Sequence, residues 1–432
     1  HPETTFGNPC LLSQFPIIVC GRVVPDSPQY DASQTLNSTA LFLETSRFGG
    51  IGQRVSLDIS KVPDYSLFVG QVVVLKGTNP TGRTFAVDQV MDLPELGASV
   101  SLGQELAEFH QLTRNSGGLK VMIVAGPYLN QYTLDYRRLE RLVTRINDEI
   151  KPHAVVMFGP FVDINNISVA NGDLEDEKKQ IKSLDDLFKI HVAPIIKKIN
   201  PRITVVMVPS LKDVNTRHCS YPQEGFNRKS MGLPKNCKLF PNPSSFSINE
   251  MLFGCLNLDV FKDLKDVYKG GKTTLSNRFQ RISNHVFDQR RYYPVFPGSI
   301  QSKVPKAGED LQELVQKSNG FMGPELGQTG MGGASLEVPY LGPEELGDSL
   351  PDVLIIPSEL KYFARVVKGV VVINPGYFIR PNKVPTKEDG SYVVMSVGAP
   401  DIEDDKSVTP VGKDDLYYHN VCGRARVDIY KS

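Results

Sequence analysis

The side chains that could do chemistry in this sequence are few and widely spaced. Asp163, Asp213, His218 and His285 are of the types that hold paired metal ions for hydrolysis. Such hydrolysis requires a bridging carboxylate and several further His, Asp or Asn ligands on one rim, with the two metals ~3.5–4 Å apart. The whole chain contains only seven histidines. These residues define one hypothesis, a divergent metal-dependent phosphoesterase or nuclease.

A glycine-rich stretch matches a phosphate-binding loop only in part. It reads Lys-Gly-Gly-Lys-Thr-Thr over residues 269–274. A P-loop needs a glycine five positions before Gly271, where Asp266 stands, and it should follow a buried strand rather than a charged segment. The sequence therefore predicts an ordinary turn here.

The cysteines give no metal site either. They stand at positions 10, 20, 219, 237, 255 and 422, and no two have the spacing of a zinc knuckle. This low density predicts reduced thiols in an intracellular protein. The adjacent pair His218 and Cys219 is interpreted as part of a loop, since neighbouring side chains point apart. We predict no catalytic, cofactor-binding or metal-ligating residue and no cofactor.

The charge balance gives no support to a general nucleic-acid or membrane surface. Lys and Arg number 48, as do Asp and Glu, so the formal net charge is zero. No apolar run approaches the ~20 residues that span a bilayer. The chain begins at His1 without Met, and we expect a fragment that lacks an N-terminal region.

Three apolar runs end abruptly at glycine or proline. They extend from Val121 to Pro127, from Val155 to Pro160 and from Val205 to Ser210. Such runs are typical of strands buried on both faces, and chemistry in an open α/β sheet lies just past their carboxyl ends. Here those positions carry Gly, Pro, Ala, Ser and Leu. We predict the scaffold of an active site without its ligands.

Helical patterns alternate with these strands. One apolar stripe follows Thr133, a predicted N-cap, and ends near Ile150. A second begins at the capping-box sequence Ser183 to Asp186, and Pro194 should kink it. Strand, helix, strand, helix, strand predicts a layered α/β domain.

Residues 15–92 show a different pattern, with no helical period. Five strands are predicted at Phe15–Val24, Thr39–Thr45, Gln53–Ile59, Val72–Leu75 and Arg83–Val90, which favours an OB-like barrel. Its six Lys and Arg against seven Asp and Glu do not make a positive groove. Phe42, Phe48 and Phe68 fit core positions as well as stacking positions. A protein-contact barrel is favoured, and single-strand DNA binding stays open.

The rest of the chain returns to mixed structure. A helix is predicted near residues 275–290 and a long surface excursion over 301–350, which is rich in Gly, Pro and Ser. Strands are predicted at Val353–Ile356, Gly369–Ile373 and Tyr392–Ser396. The final alternation would turn Ala425, Val427 and Ile429 toward a core.

The order and spacing of the strand ends resemble the calcineurin-like phosphoesterase fold. That family's motifs are Asp-x-His, Gly-Asp-x-x-Asp, Gly-Asn-His-Asp/Glu and Gly-His-x-His. The corresponding stretches here run from Ala125 to Tyr128, Gly159 to Asp163, Pro209 to Lys212 and Pro357 to Leu360. Pro160 stands where the family has its bridging Asp, and Asp163 is the motif carboxylate that remains.

This degenerate pattern, preceded by a small barrel, resembles the B subunits of the replicative DNA polymerases over essentially the whole chain. The stretches most similar to the polymerase alpha branch run from Gly159 to Phe161, Val208 to Val214, Phe246 to Asn249 and His285 to Pro294. Long inserts are typical of a fungal member. The implied fold class is α/β (α+β), a layered metallophosphoesterase-like β-sandwich flanked by helices, with an N-terminal five-stranded OB-like barrel. The implied domains are a lead-in at 1–14, the barrel domain at 15–115 and the inactive phosphoesterase domain at 116–432.

The resemblance also implies a function. It implies a nuclear, non-enzymatic accessory subunit of the DNA polymerase alpha–primase complex, which supports initiation of DNA replication and lagging-strand priming. Its expected partner is the zinc-bearing C-terminal domain of the catalytic subunit, with primase reached through the complex and other replication factors bound as well. Any zinc would belong to the partner. Weak DNA binding is compatible with this role, and membrane binding is not expected.

Overall fold

The computed structural model describes residues 5–26, 36–130, 132–174, 181, 183–218, 220–270, 277–298, 336–380 and 390–432. The chain divides into two compact units, residues 1–96 with 260–299 and residues 97–259 with 300–432. The division into 1–14, 15–115 and 116–432 stays a prediction. Cys219, residues 271–274 and residues 301–335 of the predicted excursion lie outside the described residues.

A closed five-stranded barrel forms the centre of the first unit. Its order is β1-β2-β3-β6-β5, from β1 (Ser13–Pro25), β2 (Leu41–Thr45), β3 (Arg54–Asp58), β5 (Val72–Asn79) and β6 (Thr84–Met91). Alternating residues point inward, so Val23, Leu43 and Phe85 are fully buried. The predicted OB-like barrel is confirmed.

Short elements complete this unit. β4 (Tyr65–Phe68) pairs antiparallel with β15 (Asp266–Lys269), and the helices are α1 (Arg47–Gly50), α7 (Val260–Asp263) and α8 (Arg278–Asp288). Asn277 caps α8, because its side-chain oxygen accepts the N–H of Gln280 (3.1 Å). The helix predicted near 275–290 is confirmed, whereas β4 and β15 were not predicted from the sequence.

A six-stranded sheet in the order β12-β11-β10-β9-β20-β23 lies at the centre of the second unit. Its strands are β9 (Leu119–Ala125), β10 (Ala154–Phe158), β11 (Thr204–Val208), β12 (Cys237–Leu239), β20 (Ser391–Val397) and β23 (Ala425–Lys431). The first four along the chain are parallel, and β20 and β23 are antiparallel additions. The three apolar runs are therefore buried strands, as predicted, and the structure makes them parallel neighbours.

Helices cover one face of this sheet. They are α3 (Arg137–Arg145), continued by a π-helical turn Ile146–Ile150, then α4 (Ile167–Asn171), and α5 (Leu184–Leu187), which continues through a π-helical turn Phe188–Val192 into α6 (Ala193–Lys197). Ser183 caps α5 as predicted, since its hydroxyl accepts the Asp186 N–H (3.1 Å). Thr133 is not the N-cap of α3, a prediction that was wrong: α3 begins at Arg137 with Tyr136 at the N-cap position, and the Thr133 hydroxyl donates to Asn130 Oδ1 (3.0 Å).

The other face packs on a five-stranded sheet ordered β13-β14-β17-β19-β18. Its strands are β13 (Ser244–Ile248), β14 (Met251–Cys255), β17 (Val353–Ile355), β18 (Phe363–Val367) and β19 (Val370–Asn374). One buried cluster joins the two sheets, with Ile123 and Val156 from the first against Phe253 and Ile373 from the second. The predicted layered sandwich flanked by helices is confirmed.

The remaining elements of this unit are peripheral. They are β7 (Gly97–Ala98) with β16 (Ser349–Leu350), β8 (Val100–Leu102) with β21 (Val408–Pro410) and β22 (Leu416–His419), α2 (Gly103–Asn115), α9 (Val421–Arg424), and 3₁₀ turns at Val338–Tyr340 and Gly342–Glu344. Ala425, Val427 and Ile429 pack against the sandwich core as predicted. Within the described residues no helix is long and apolar enough to span a membrane.

Candidate functional site

The carboxyl ends of β9, β10 and β11 form a common rim. Phe158 pairs in register with Ala125 on one side and with Val208 on the other. The ladder extends one residue further, because Gly126 donates its N–H to Phe158 O and Gly159 donates to Val208 O (both 2.9 Å). The prolines that follow the two glycines have no N–H to continue it, and so the loops leave the sheet there.

The two rim glycines are required by the close approach of the loops. A Cβ on Gly126 would collide with the carbonyl oxygen of Pro160. A Cβ on Gly159 would collide with the carboxylate of Asp213. Only glycine leaves room for backbone and carboxylate at these points.

An aromatic side chain fills the space beside the first strand end. Tyr128 is fully buried, and its hydroxyl donates to Phe158 O (3.0 Å). Its ring stacks on Phe161, with the ring centroids 5.2 Å apart. Burial raises the pKa of the Tyr128 hydroxyl well above its ordinary value, with the nearby Asp213 charge acting in the same direction. The residue after the first Gly-Pro turn therefore packs as a neutral core group.

Asp213 binds backbone amides of two rim loops. Its Oδ1 accepts the N–H groups of Phe161 (2.5 Å) and Val162 (3.2 Å), and its Oδ2 accepts that of Ser210 (2.9 Å). Burial raises the pKa of this carboxyl to about 7, although the amides oppose the shift. The carboxylate that follows the third strand is thus fully engaged in fastening the second loop to the third.

Asp163 lies beside Asp213 but has a different role. The two residues form an antiparallel backbone bridge, and Asp163 Oδ1 accepts the N–H of Asn165 (2.9 Å). Burial raises the pKa of Asp163, and the Lys212 charge opposes the shift. The remaining motif carboxylate therefore closes a local turn at the end of the second loop.

A side-chain amide closes the gap between the second and third strand ends. Asn257, just after β14, donates through Nδ2 to Gly159 O (3.2 Å) and to Pro209 O (3.0 Å). Asn242 holds it in place, because its Oδ1 accepts the Asn257 N–H (2.9 Å). A donor NH₂ group cannot ligate a cation, and here it satisfies carbonyl oxygens that would otherwise face the rim.

A second asparagine shapes the loops after β17 and β19. Asn374 is fully buried, and its Oδ1 accepts the N–H groups of Ser358 (2.9 Å) and Gly376 (2.8 Å). Its amide donates to Leu360 O and Lys361 O (3.4 and 3.3 Å). One side chain therefore joins the stretch identified in the sequence as the last motif, Pro357 to Leu360, to the turn that follows β19.

Of the four residues in the phosphoesterase hypothesis, the structure brings Asp163 and Asp213 together. His218 is exposed and its Nδ1 is 3.3 Å from Glu224 Oε1. His285 belongs to the unit of the barrel, where its Nε2 is 2.7 Å from Ser66 Oγ. Burial lowers the pKa of His285 to about 4, against the opposing charge of Asp266. Among the described residues, no three His, Cys, Asp or Glu side chains are grouped so that they could hold a metal ion.

The aromatic residues of the barrel divide into three classes. Phe68 is buried in the core, Phe42 is half-buried, and Phe48 is fully exposed at the β2–β3 connection. From the sequence, all three side chains fitted core positions as well as stacking positions. Phe48 is exposed, so a core position is wrong for this residue.

The sequence did not identify the rim residues Tyr128, Asn257 and Asn374 as functional positions. Their partners are mostly backbone carbonyls and amides, which carry no sequence signal.

Comparison with known proteins decides the family. A family model for the B subunits of DNA polymerases alpha and epsilon matches residues 121–365, and a model for the OB domain of the polymerase alpha B subunit matches residues 2–93. The chain belongs to the family of DNA polymerase alpha and epsilon B subunits. The first match contains most of the rim and the second contains the barrel strands.

Curated relatives of this family align over nearly the whole chain. It is 46% identical to the DNA polymerase alpha B subunit of Saccharomyces cerevisiae, over 99% of this chain and 60% of that protein. It is 31% identical to the B subunit of Schizosaccharomyces pombe, over 99% of this chain and 67% of that protein. The Rattus norvegicus counterpart is 29% identical over 87% of this chain and 54% of that protein. The chain thus spans about 60% of the length of its Saccharomyces relative.

The solved structures to which this chain shows similarity include two Vps29 proteins. That of Entamoeba histolytica has a TM-score of 0.24 at 11% identity, covering 73% of this chain and 99% of its own. That of Chaetomium thermophilum has a TM-score of 0.24 at 8% identity, covering 72% of this chain and 98% of its own.

Proposed function

We propose that this chain is a non-catalytic accessory subunit of the DNA polymerase alpha–primase complex, and that its rim is a structural junction. The structural role of the rim is supported by the hydrogen bonds that its polar groups make within the protein. Asp213 accepts three backbone amides, and Asn257 caps the carbonyl oxygens of Gly159 and Pro209. Groups that a hydrolase would direct at a metal or a phosphate are here bonded to the protein itself.

The proposed partner is the C-terminal domain of the polymerase catalytic subunit, a zinc-bearing domain. Primase and other replication factors would be reached through the same complex, in the nucleus, during initiation and lagging-strand priming. Family membership over nearly the whole chain supports this assignment. An obligate interface of this kind commonly buries more than ~2,000 Å². We further propose that this chain has two domains, residues 15–115 and residues 116–432.

Co-purification tests the accessory role directly. This chain and the polymerase C-terminal domain are co-expressed with a tag on one of them, and gel filtration is followed by zinc analysis of the complex. We expect a stable one-to-one complex in which the zinc belongs to the polymerase domain. Failure to form a complex, with both proteins folded, would sink the proposal.

Hydrolysis is tested separately. The chain is incubated with a chromogenic phosphodiester and Mn²⁺, and Asp163→Ala is the matched variant. We expect no turnover above buffer in either protein. Turnover by the parent chain that Asp163→Ala abolishes would revive the phosphoesterase hypothesis.

Single-strand DNA binding by the barrel is the second candidate, favoured by one observation. Phe48 is fully exposed and follows the exposed Arg47, a combination that suits base stacking beside a phosphate. A salt titration of single-stranded DNA binding on the full chain, with Phe48→Ala as the variant, tests it. Equal affinity of the two proteins at every salt concentration rejects this candidate.

A further inference from the structure

Within the part of the chain that the structure describes, one edge of the five-stranded sheet turns unpaired backbone groups outward. Among these described residues β18 pairs with β19 alone, through a hairpin whose turn residues Lys368 and Gly369 both have positive φ (50° and 80°). Two-residue turns of this type place the flanking pair, Val367 and Val370, in a hydrogen-bonded position. Pairing then alternates along the hairpin.

The backbone hydrogen bonds of β19 show which N–H and C=O groups of β18 point away from the sheet. Val371, opposite Val366, donates its N–H to Asp352 O on the far side (2.9 Å). Ile373, opposite Ala364, accepts the N–H of Ile356 (3.0 Å) on that same side. Ala364 and Val366 are therefore in non-hydrogen-bonded pairs, and their N–H and C=O groups point away from the sheet. No residue in the described ranges provides partners for these four groups.

The side chains of this edge are exposed as well. Val366 is 54% exposed, and it lies with Ala364 on the face that continues the sandwich core at Val371 and Ile373. Arg365 lies on the opposite face of the strand and is exposed. An extended segment added here would meet an apolar row on one face and a cation on the other.

The positive charge of this edge favours binding of an acidic segment. Lys361, Arg365 and Lys368 lie in or beside β18, and the sequence has no carboxylate from position 360 to 380. Two copies of β18 laid edge to edge would bring like charges together, which opposes self-association. The edge strand β23 differs, because its Arg426 is already paired with Asp428 (Nε to Oδ2, 3.0 Å).

We propose that β18 is a docking edge for an extended acidic segment of a partner protein, which adds to the sheet as a further strand. The segment's backbone bonds Ala364 and Val366, its acidic residues face Arg365, and its apolar residues, at alternate positions, cover Val366.

A peptide titration tests the proposal on the whole chain. The probe is a fluorescent octapeptide of alternating valine and glutamate, and its counterpart has lysine in place of glutamate. Binding is followed by anisotropy at low ionic strength. We expect saturable binding of the acidic peptide and at least about tenfold weaker binding of the basic one, because glutamate pairs with Arg365 across the strands whereas lysine is repelled by it.

Variants locate the binding on β18. Arg365→Glu should weaken the acidic peptide by about fivefold to tenfold, and Arg426→Glu on β23 is the matched control that should leave it unchanged. Val366→Pro removes one outward N–H that the hairpin does not use, and should also abolish binding, with circular dichroism verifying its fold. Equal affinity for the two peptides, equal effects of the two arginine variants, or self-association abolished by Val366→Pro would each overturn the proposal.

Discussion

Replacing Asn257 by aspartate should destabilise the rim more than removing its side chain does. The amide donates to Gly159 O and Pro209 O at 3.2 and 3.0 Å. Its loss in Asn257→Ala costs two hydrogen bonds, roughly 1 kcal/mol each, or about 2 kcal/mol. Asn257→Asp keeps the shape but directs a carboxylate at the same two carbonyl oxygens. Repulsion should raise the cost to about 3–4 kcal/mol.

Hydrogen exchange is the appropriate assay, because a chain with two compact units need not unfold in one step. The rim amides of Gly126 and Gly159 close the ladder at the affected strand ends. A loss of about 3 kcal/mol should lower their protection roughly 100-fold. Lowering the pH should partly restore protection in Asn257→Asp, since a protonated carboxyl can again donate one hydrogen bond.

Asn227→Asp is the matched control. Asn227 uses its side-chain oxygen as the acceptor for the N–H groups of Lys229 and Ser230, and a carboxylate accepts these equally well. We expect no loss of stability there. If Asn257→Asp were no worse than Asn257→Ala, the argument that the rim carbonyls need a donor would be refuted.

Three further outcomes follow from the same contacts. Gly159→Ala should destabilise the second unit by more than about 2 kcal/mol, whereas Gly97→Ala, where a Cβ meets nothing within 4 Å, should be neutral in the same urea titration. Tyr128→Phe should cost about 1 kcal/mol by leaving Phe158 O without that donor, measured as a shift in the midpoint. His285, whose pKa is lowered from 6.5 to about 4, contributes stability that is complete above about pH 6.5 and is lost as the pH falls from there to 4. A first unit whose stability is flat between pH 7 and 4, or equally pH-dependent in His285→Gln, would contradict this assignment.

The parts of the fold that were predictable from sequence are those in which burial dominates. The strand predicted in the apolar run that begins at Val121 is β9 (Leu119–Ala125), because a strand buried on both faces leaves an unbroken apolar run. The pairing of β4 with β15 joins residues about 200 positions apart in short, mixed-polarity segments, and such pairing leaves no local pattern. The N-cap predicted at Thr133 was wrong because α3 begins only at Arg137, and the Thr133 hydroxyl donates to Asn130 Oδ1 instead of accepting a helix N–H.

From the sequence, the site was predictable only as the loss of metal ligands at the strand ends. The sequence shows Pro160 in place of a bridging carboxylate, but it does not show what occupies the vacated space. Asn257 lies nearly 100 positions from Gly159, and its partners are carbonyl oxygens common to every residue type. A single sequence contains no signal for such a bond. The surviving Asp163 had seemed the important carboxylate, whereas Asp213 makes the bonds that hold the loops.

The same contacts bear on whether hydrolysis could be restored by returning one ligand. Pro160→Asp alone would place a carboxylate next to Gly159, whose carbonyl oxygen is already bonded to Asn257. Asp213 would have to release three amides before it could bind a metal, leaving buried donors unsatisfied at roughly 1–3 kcal/mol each. Tyr128 would have to leave the core as well. Restoring a metal centre therefore requires several simultaneous changes, each unfavourable alone, and we expect Pro160→Asp to lower stability without producing Mn²⁺-dependent turnover.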